Sequence, residues 1–132
     1  MGTLRIPAIG VEEVVRSGVG IDVIDMGVAH WAGTATPGQD GNVVLAGHRT
    51  VETRPFYDLD DLTPGDVIYV TDADGIDVMY RVAETFIVEP SDVWITFDRP
   101  DPTLTMFACH PKGSAAQRIV VVADLVSDHR ML

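Results

Sequence analysis

The chain is 132 residues long and carries 9 Lys plus Arg against 20 Asp plus Glu, a net charge of -11 with a pI near 4.4. Such a balance repels phosphate backbones and anionic lipid surfaces, which argues against nucleic-acid binding. With 46% hydrophobic residues and a mean hydropathy of +0.17 the chain is apolar enough to fold, and its length suits one domain spanning residues 1–132. The single cysteine, Cys109, excludes an internal disulfide and a thiolate-rich zinc site. The longest apolar run, Ile119 to Val126, is interrupted by Asp124 and falls short of the roughly 18 residues that span a bilayer. Nothing at Met1-Gly2-Thr3 resembles a secretory signal.

Short runs rich in Val and Ile, punctuated by Gly, Pro and Asp, predict an all-β fold, mainly strand with one or two short helical turns. The predicted strands are Leu4–Ile6, Glu12–Val15, Asn42–Ala46, Asp66–Val70, Asp77–Val82, Thr85–Val88, Thr103–Ala108 and Arg118–Val126. Between Asp66–Val70 and Asp77–Val82, Thr71-Asp72-Ala73-Asp74-Gly75 ends in an Asp-Gly pair, the chemistry of a hairpin turn whose backbone needs positive φ. Leu59 and Leu62, following Phe56, predict one amphipathic turn that stops at Pro64-Gly65. The stretch from Glu89 to Pro102, with Pro90, Pro100 and Pro102 around Trp94 and Phe97, reads as a long loop holding a helical turn at Ser91 to Trp94. Loops of that length on small domains tend to carry binding surfaces.

Three residues at predicted strand ends could carry chemistry. Cys109 follows Leu104-Thr105-Met106-Phe107-Ala108 and precedes His110-Pro111, so its thiol stands at a rim. There it either packs as a small hydrophobe or reacts, and reaction requires a group that activates it. His110 points to the opposite face of a continuing strand, whereas His48, after Val43-Val44-Leu45-Ala46 and Gly47, can converge on Cys109 from another strand end. Arg118 returns beside Cys109 if residues 110–117 form a hairpin loop, and its guanidinium then favours thiolate and binds an oxyanion; otherwise it is a solvated charge.

The acidic run Asp72 to Asp77 has its glycine too early for a calcium loop and reads as a turn. Asp58, Asp60, Asp61 and Asp66 read as a solvated rim, and no metal or cofactor is expected. His30, His48, His110 and His129 show no paired spacing for zinc, and His129 falls in a frayed tail.

From Leu4 to Val126 the sequence resembles the sortases, cysteine transpeptidases of the Gram-positive envelope. The resemblance is carried by Ile6-Pro7-Ala8-Ile9-Gly10-Val11, Gly33-Thr34-Ala35-Thr36-Pro37-Gly38-Gln39 and Gly41-Asn42-Val43-Val44-Leu45-Ala46-Gly47-His48-Arg49. Phe56, Leu59 to Asp66, and Leu104-Thr105-Met106-Phe107-Ala108-Cys109-His110-Pro111 with Arg118 complete it. It implies a closed eight-stranded barrel in which Cys109 is the nucleophile, His48 the general acid and base, and Arg118 the oxyanion or substrate stabiliser. Ala108, His110, Trp94, Val93, Thr34 and Asn42 are implied substrate contacts, and the loop Glu89 to Pro102 corresponds to the family's recognition loop. Trp31 and Trp94 are left open between groove wall and core or rim.

The implied substrate is a Leu-Pro-x-Thr-Gly or Leu-Ala-x-Thr-Gly sorting signal of a secreted protein, cut between Thr and Gly. The implied acceptor is an amine of a peptidoglycan precursor or a pilin lysine. Cys109-His110-Pro111 is most similar to class E, with class D second. The chain departs from the family's Thr-Leu-x-Thr-Cys pattern at Ala108, which removes a hydroxyl beside the nucleophile, while Met106 for Leu nearly conserves volume. A silent sorting-signal-binding module and an envelope hydrolase are the alternative readings. The resemblance also implies an extracytoplasmic protein held by an N-terminal membrane segment outside these residues.

Overall fold

The computed structural model describes residues 2–18, 20–51 and 53–128, with the side chains of residues 21, 127 and 128 left aside. His129, expected in a frayed tail, lies outside the described residues. Eight strands form a closed barrel: β1 (Gly2–Ile6), β2 (Val11–Ser17), β3 (Val28–His30), β4 (Asn42–Ala46), β5 (Val67–Thr71), β6 (Asp77–Val88), β7 (Thr103–His110) and β8 (Gln117–Asp128). Around the barrel they run β1-β2-β3-β4-β7-β8-β6-β5, with β5 closing on β1. The pairs β2–β3 and β4–β7 are parallel and the other six are antiparallel.

The expected strand count is met by a different division of the chain. Asp77–Val82 and Thr85–Val88 are one continuous strand, β6, because the polar break at Ala83-Glu84 is a register shift against β8. A second shift falls between Met79 and Tyr80. Such bulges add twist and curvature, which a sheet needs to close on itself. The strand not anticipated is β3, only three residues long and buried throughout. Because β2 and β3 are parallel, the chain must cross over between them, and it does so through a five-residue helix, α1 (Ile21–Asp25). That helix had no counterpart in the sequence reading.

The barrel interior is filled by alternate residues of each strand, including Leu4, Ile6, Val15, Val43, Leu45, Ile68, Val70, Tyr80, Leu104, Met106, Ile119 and Val121. Phe56 and Leu59 close one end from the predicted turn, where residues Leu59–Asp61 form a 3-10 turn. The hairpin between β5 and β6 turns as anticipated: Gly75 has φ +80°, and Asp72 Oδ1 accepts hydrogen bonds from the Asp74 and Ile76 amides. Asp72 is thus consumed by a turn.

A smaller apolar cluster lies outside the barrel. Val88, Val120 and Val122 hold Ile95, with Phe86 and Phe107 packed alongside. Ile95 belongs to a 3-10 turn, Val93–Thr96, two residues beyond the expected position within the long loop. Burying that one side chain contributes about 1.5–3 kcal/mol towards holding the loop on the barrel wall. Asn42, at the start of β4, adds polar anchors: its Nδ2 donates to the carbonyls of Ile95 and Phe97, both at 3.0 Å.

Candidate active site

The barrel's connectivity brings four chain segments to one rim. Strands β4 and β7 run parallel, so their C-terminal ends, which lead into His48 and carry Cys109, lie together. β8 runs antiparallel to β7, and Arg118 near its start is the register partner of Cys109. β3 runs antiparallel to β4, so its start, and α1 just before it, lie at that rim as well.

The nucleophile candidate is well seated. Cys109 is a free, half-buried thiol next to the buried Ala108. Its backbone carbonyl accepts a hydrogen bond from Arg49 Nη1 at 3.1 Å. Arg49 is 2% exposed, and it also donates to the Tyr57 carbonyl (2.8 Å), meets His110 Nδ1 (3.3 Å) and pairs with Asp60 (3.0 Å). One buried guanidinium therefore ties the cysteine strand to the segment that follows His48. This use of Arg49 was not anticipated, because an arginine after a strand ordinarily faces solvent. Asp60 was expected on a solvated rim; it pairs with Arg49, while Lys112 bridges Asp58 and Asp60 at 3.7 and 3.9 Å.

His48 is positioned by two close packings. Gly47 leaves no space for a side chain, since a Cβ there would meet Phe56 at 2.9 Å and Pro55 at 3.0 Å. The His48 carbonyl accepts from the Phe56 amide at 3.2 Å, which fixes the turn. The imidazole is mostly buried, and its Nε2 lies 2.7 Å from Asp25 Oδ1, at the end of α1. Sequence reasoning did not single out Asp25, which lies 23 residues away in the chain with no motif to mark it.

His48, Cys109 and Arg118 line a single cleft of about 270 Å³ whose apolar walls are Ile24, Trp31 and Phe107. Trp31 is fixed by its amide, which donates to the Val44 carbonyl at 2.8 Å, and its ring stands edge-on to Phe107 at 5.5 Å. A second hollow of about 200 Å³ shares Trp31, Phe107 and Arg118 and continues along Pro90, Val93 and Thr96 of the long loop. A third, also about 200 Å³, shares His48 and Cys109 and opens towards Gly113–Ala115. The thiol thus lines two of these hollows, the cleft and the one at Gly113–Ala115, while the apolar arm opens off the cleft at Trp31, Phe107 and Arg118. Arg118 lines both the cleft and the apolar arm, its Nη1 donating to the carbonyls of Ala115 (3.0 Å) and Gln117 (2.9 Å).

The remaining predicted contacts are placed differently. Ala108 lines the cleft and Val93 lines the apolar arm. Trp94 lies on the rim, stacked at 5.8 Å on Phe86. His110 is turned to Arg49, away from the cleft walls. Asn42 is buried against the long loop, and Thr105 Oγ1 donates to its Oδ1 at 2.7 Å. Thr34 donates to the Trp31 carbonyl at 2.8 Å and accepts from the Val44 amide at 3.3 Å. Asn42 and Thr34 therefore brace the walls rather than face the cleft. Among the described residues, no group of three or more His, Cys, Asp or Glu side chains could hold a metal ion, and no helix is long and apolar enough to cross a membrane.

The family model described as Sortase domain matches residues 4–126. The chain belongs to the sortase family. It is 28% identical over 130 residues to Sortase D of Bacillus subtilis (strain 168), covering 96% of this chain and 64% of that protein. It is 31% identical over 141 residues to Sortase SrtE1 of Streptomyces coelicolor, covering 95% of this chain and 40% of that protein. The chain thus spans less than two thirds of these curated relatives. Among solved structures, a Clostridium perfringens Sortase D5 transpeptidase superposes with a TM-score of 0.84 at 31% identity, covering 96% of this chain and 78% of that one. The names of similar proteins divide among classes A, C, D and E, so this sortase's class is not fixed by likeness.

Proposed function

We propose that this sortase is an active cysteine transpeptidase acting on a Leu-Ala-x-Thr-Gly or Leu-Pro-x-Thr-Gly sorting signal. The observation that carries the reading is the meeting of His48, Cys109 and Arg118 in one cleft, with Arg118 directly opposite Cys109. The Cys109 thiolate attacks the carbonyl between Thr and Gly, and protonated His48 gives its proton to the departing glycine amine. Arg118 stabilises the oxyanion or the substrate backbone with its fixed fork of donors. An acceptor amine, deprotonated by His48, then resolves the thioacyl enzyme into a new amide.

The apolar arm along Val93 and Pro90 is suited to the upstream half of the signal, and the hollow at Gly113–Ala115 to the incoming amine. The sources we assign are a secreted protein for the signal and a peptidoglycan precursor or pilin lysine for the amine. The family is typically extracytoplasmic, and we place this activity there. The Cys109-His110-Pro111 run supports class E, and with it a preference for Leu-Ala-x-Thr-Gly. A second reading rests on Ala108, which leaves no hydroxyl beside the nucleophile: a barrel that binds sorting signals without chemistry.

Mass spectrometry of the protein with each peptide, with and without a glycine amine, tests both. The transpeptidase gives an adduct on Cys109 that converts to acceptor-linked peptide, and Cys109→Ala gives neither. Peptide binding without an adduct in the wild type would establish the silent module, and an adduct resolved only by water would establish a hydrolase.

A further inference from the structure

We propose that Asp25 is the positioning residue of His48, holding its ring with the proton on Nε2 so that Nδ1 is the nitrogen that exchanges protons with thiol and amine. The proposal rests on the transpeptidase reading of the same cleft. Its physical basis is the 2.7 Å contact between Asp25 Oδ1 and His48 Nε2. A carboxylate has only acceptor sites, so the nitrogen facing it must be a donor in both the neutral and the charged imidazole. Among the described residues, His48 Nδ1 has no hydrogen-bond partner, which leaves its lone pair for chemistry.

The segment that carries Asp25 is itself held in place. Arg16 Nη1, on β2, donates to the Met26 carbonyl at 3.1 Å, and the Gly27 amide closes the end of α1 on the Ile24 carbonyl at 3.2 Å. Ile24, one residue before Asp25, is a wall of the catalytic cleft. The crossover that the parallel β2–β3 pair requires therefore also sets a carboxylate against the histidine. In the acylation step the bond from Cys109 sulfur to the Thr carbonyl carbon forms and the carbon–nitrogen bond to Gly breaks. The Nδ1 proton of the imidazolium goes to the departing nitrogen, and the ring returns to the neutral Nε2–H form that Asp25 holds. Deacylation runs the same transfer in reverse, from the incoming amine to Nδ1.

The test pairs kinetics with a direct measurement of the ring. In nitrogen-15 NMR of the substrate-free wild type, neutral His48 should carry its proton on Nε2, and in Asp25→Ala it should become a tautomer mixture. Asp25→Ala should lower kcat about tenfold or more with KM held within about twofold, a loss smaller than the general acid's own contribution. Asp25→Glu, which keeps the acceptor, should recover part of kcat. The proposal is overturned if wild-type His48 carries its neutral proton on Nδ1, if Asp25→Ala leaves the tautomer unchanged, or if its kcat stays within about twofold of wild type. If wild type forms no thioacyl adduct at all, the transpeptidase reading falls instead, and the NMR measurement still decides whether Asp25 holds His48.

Discussion

Cys109 and Arg118 stand directly opposite one another in the β7–β8 ladder. Opposed residues of an antiparallel pair project from the same face of the sheet, so a guanidinium shares the face of the thiol without any long-range folding requirement. The eight-residue connection that separates them bends back through Ser114, whose amide donates to the Pro111 carbonyl at 2.9 Å. If Arg118 serves the oxyanion as proposed, Arg118→Ala should lower kcat/KM by about two to three orders of magnitude. Arg118→Lys should recover little of it, because an ammonium cannot reproduce the planar fork. Arg118 is only half-buried, so both variants should melt within a few degrees of wild type, and steady-state kinetics beside thermal denaturation will separate the two effects.

Arg49 governs the same cysteine from below. Its removal leaves the carbonyls of Cys109 and Tyr57 without their donor in a buried setting, and leaves Asp60 only its longer, 3.9 Å contact with Lys112. Arg49→Met should cost about 2–4 kcal/mol in stability, from the unsatisfied buried acceptors. Asp60→Ala should cost about 1 kcal/mol or less, because that carboxylate is largely exposed. Urea denaturation of the two variants would show the asymmetry, and equal losses would mean that the ion pair, not the carbonyl contacts, is what Arg49 supplies.

How far the sequence reveals this site depends on the range of the interaction involved. β4 was readable to the residue, since its apolar run Asn42–Ala46 is bounded by Gly41 and Gly47. The Asp-Gly hairpin was equally local. β3 escaped because three residues carry no measurable alternation, and α1 because five residues make barely more than one turn. Cys109 and Arg118 could be brought together by counting along one hairpin. Asp25, Arg49 and the bracing role of Asn42 could not, because each depends on contacts 23 to 63 residues distant that only barrel closure creates. Their residue types gave the opposite hint: charged and amide side chains in loops or at strand ends ordinarily face water.

Asn42 supplies a third prediction, in which binding and chemistry separate. Its side chain donates to Ile95 and Phe97 and accepts from Thr105, so it fastens the turn that carries the apolar arm. Asn42→Ala should cost about 2–3 kcal/mol through the stranded partners, chiefly the Thr105 hydroxyl and the Ile95 carbonyl. Ile95 would still hold the loop against Val88, Val120 and Val122, so the turn should loosen rather than detach. The expected signature is faster hydrogen exchange at the amides of Val93 and Phe97, a raised KM and a smaller change in kcat. Unchanged exchange there would show that the apolar cluster alone sets the loop.

Gly47 gives the most local prediction, because the crowding at its α-carbon can be stated atom by atom. A methyl group at this position would lie 2.9 Å from Phe56 Cδ2 and 3.0 Å from Pro55 Cγ, inside normal contact distance. Phe56 is fully buried and packed in the barrel core, so its ring cannot swing aside cheaply. The strain of Gly47→Ala should therefore appear as a shift of the backbone leading into His48, at a cost of about 1–3 kcal/mol. Catalysis should suffer more than folding, since even an ångström of misplacement at a proton-transfer group can cost about a hundredfold in rate. Pairing Gly47→Ala with Phe56→Leu, which clears space beside the new methyl, should restore part of kcat. If the double variant is no faster than the single one, the crowding against Phe56 is not what requires glycine before His48.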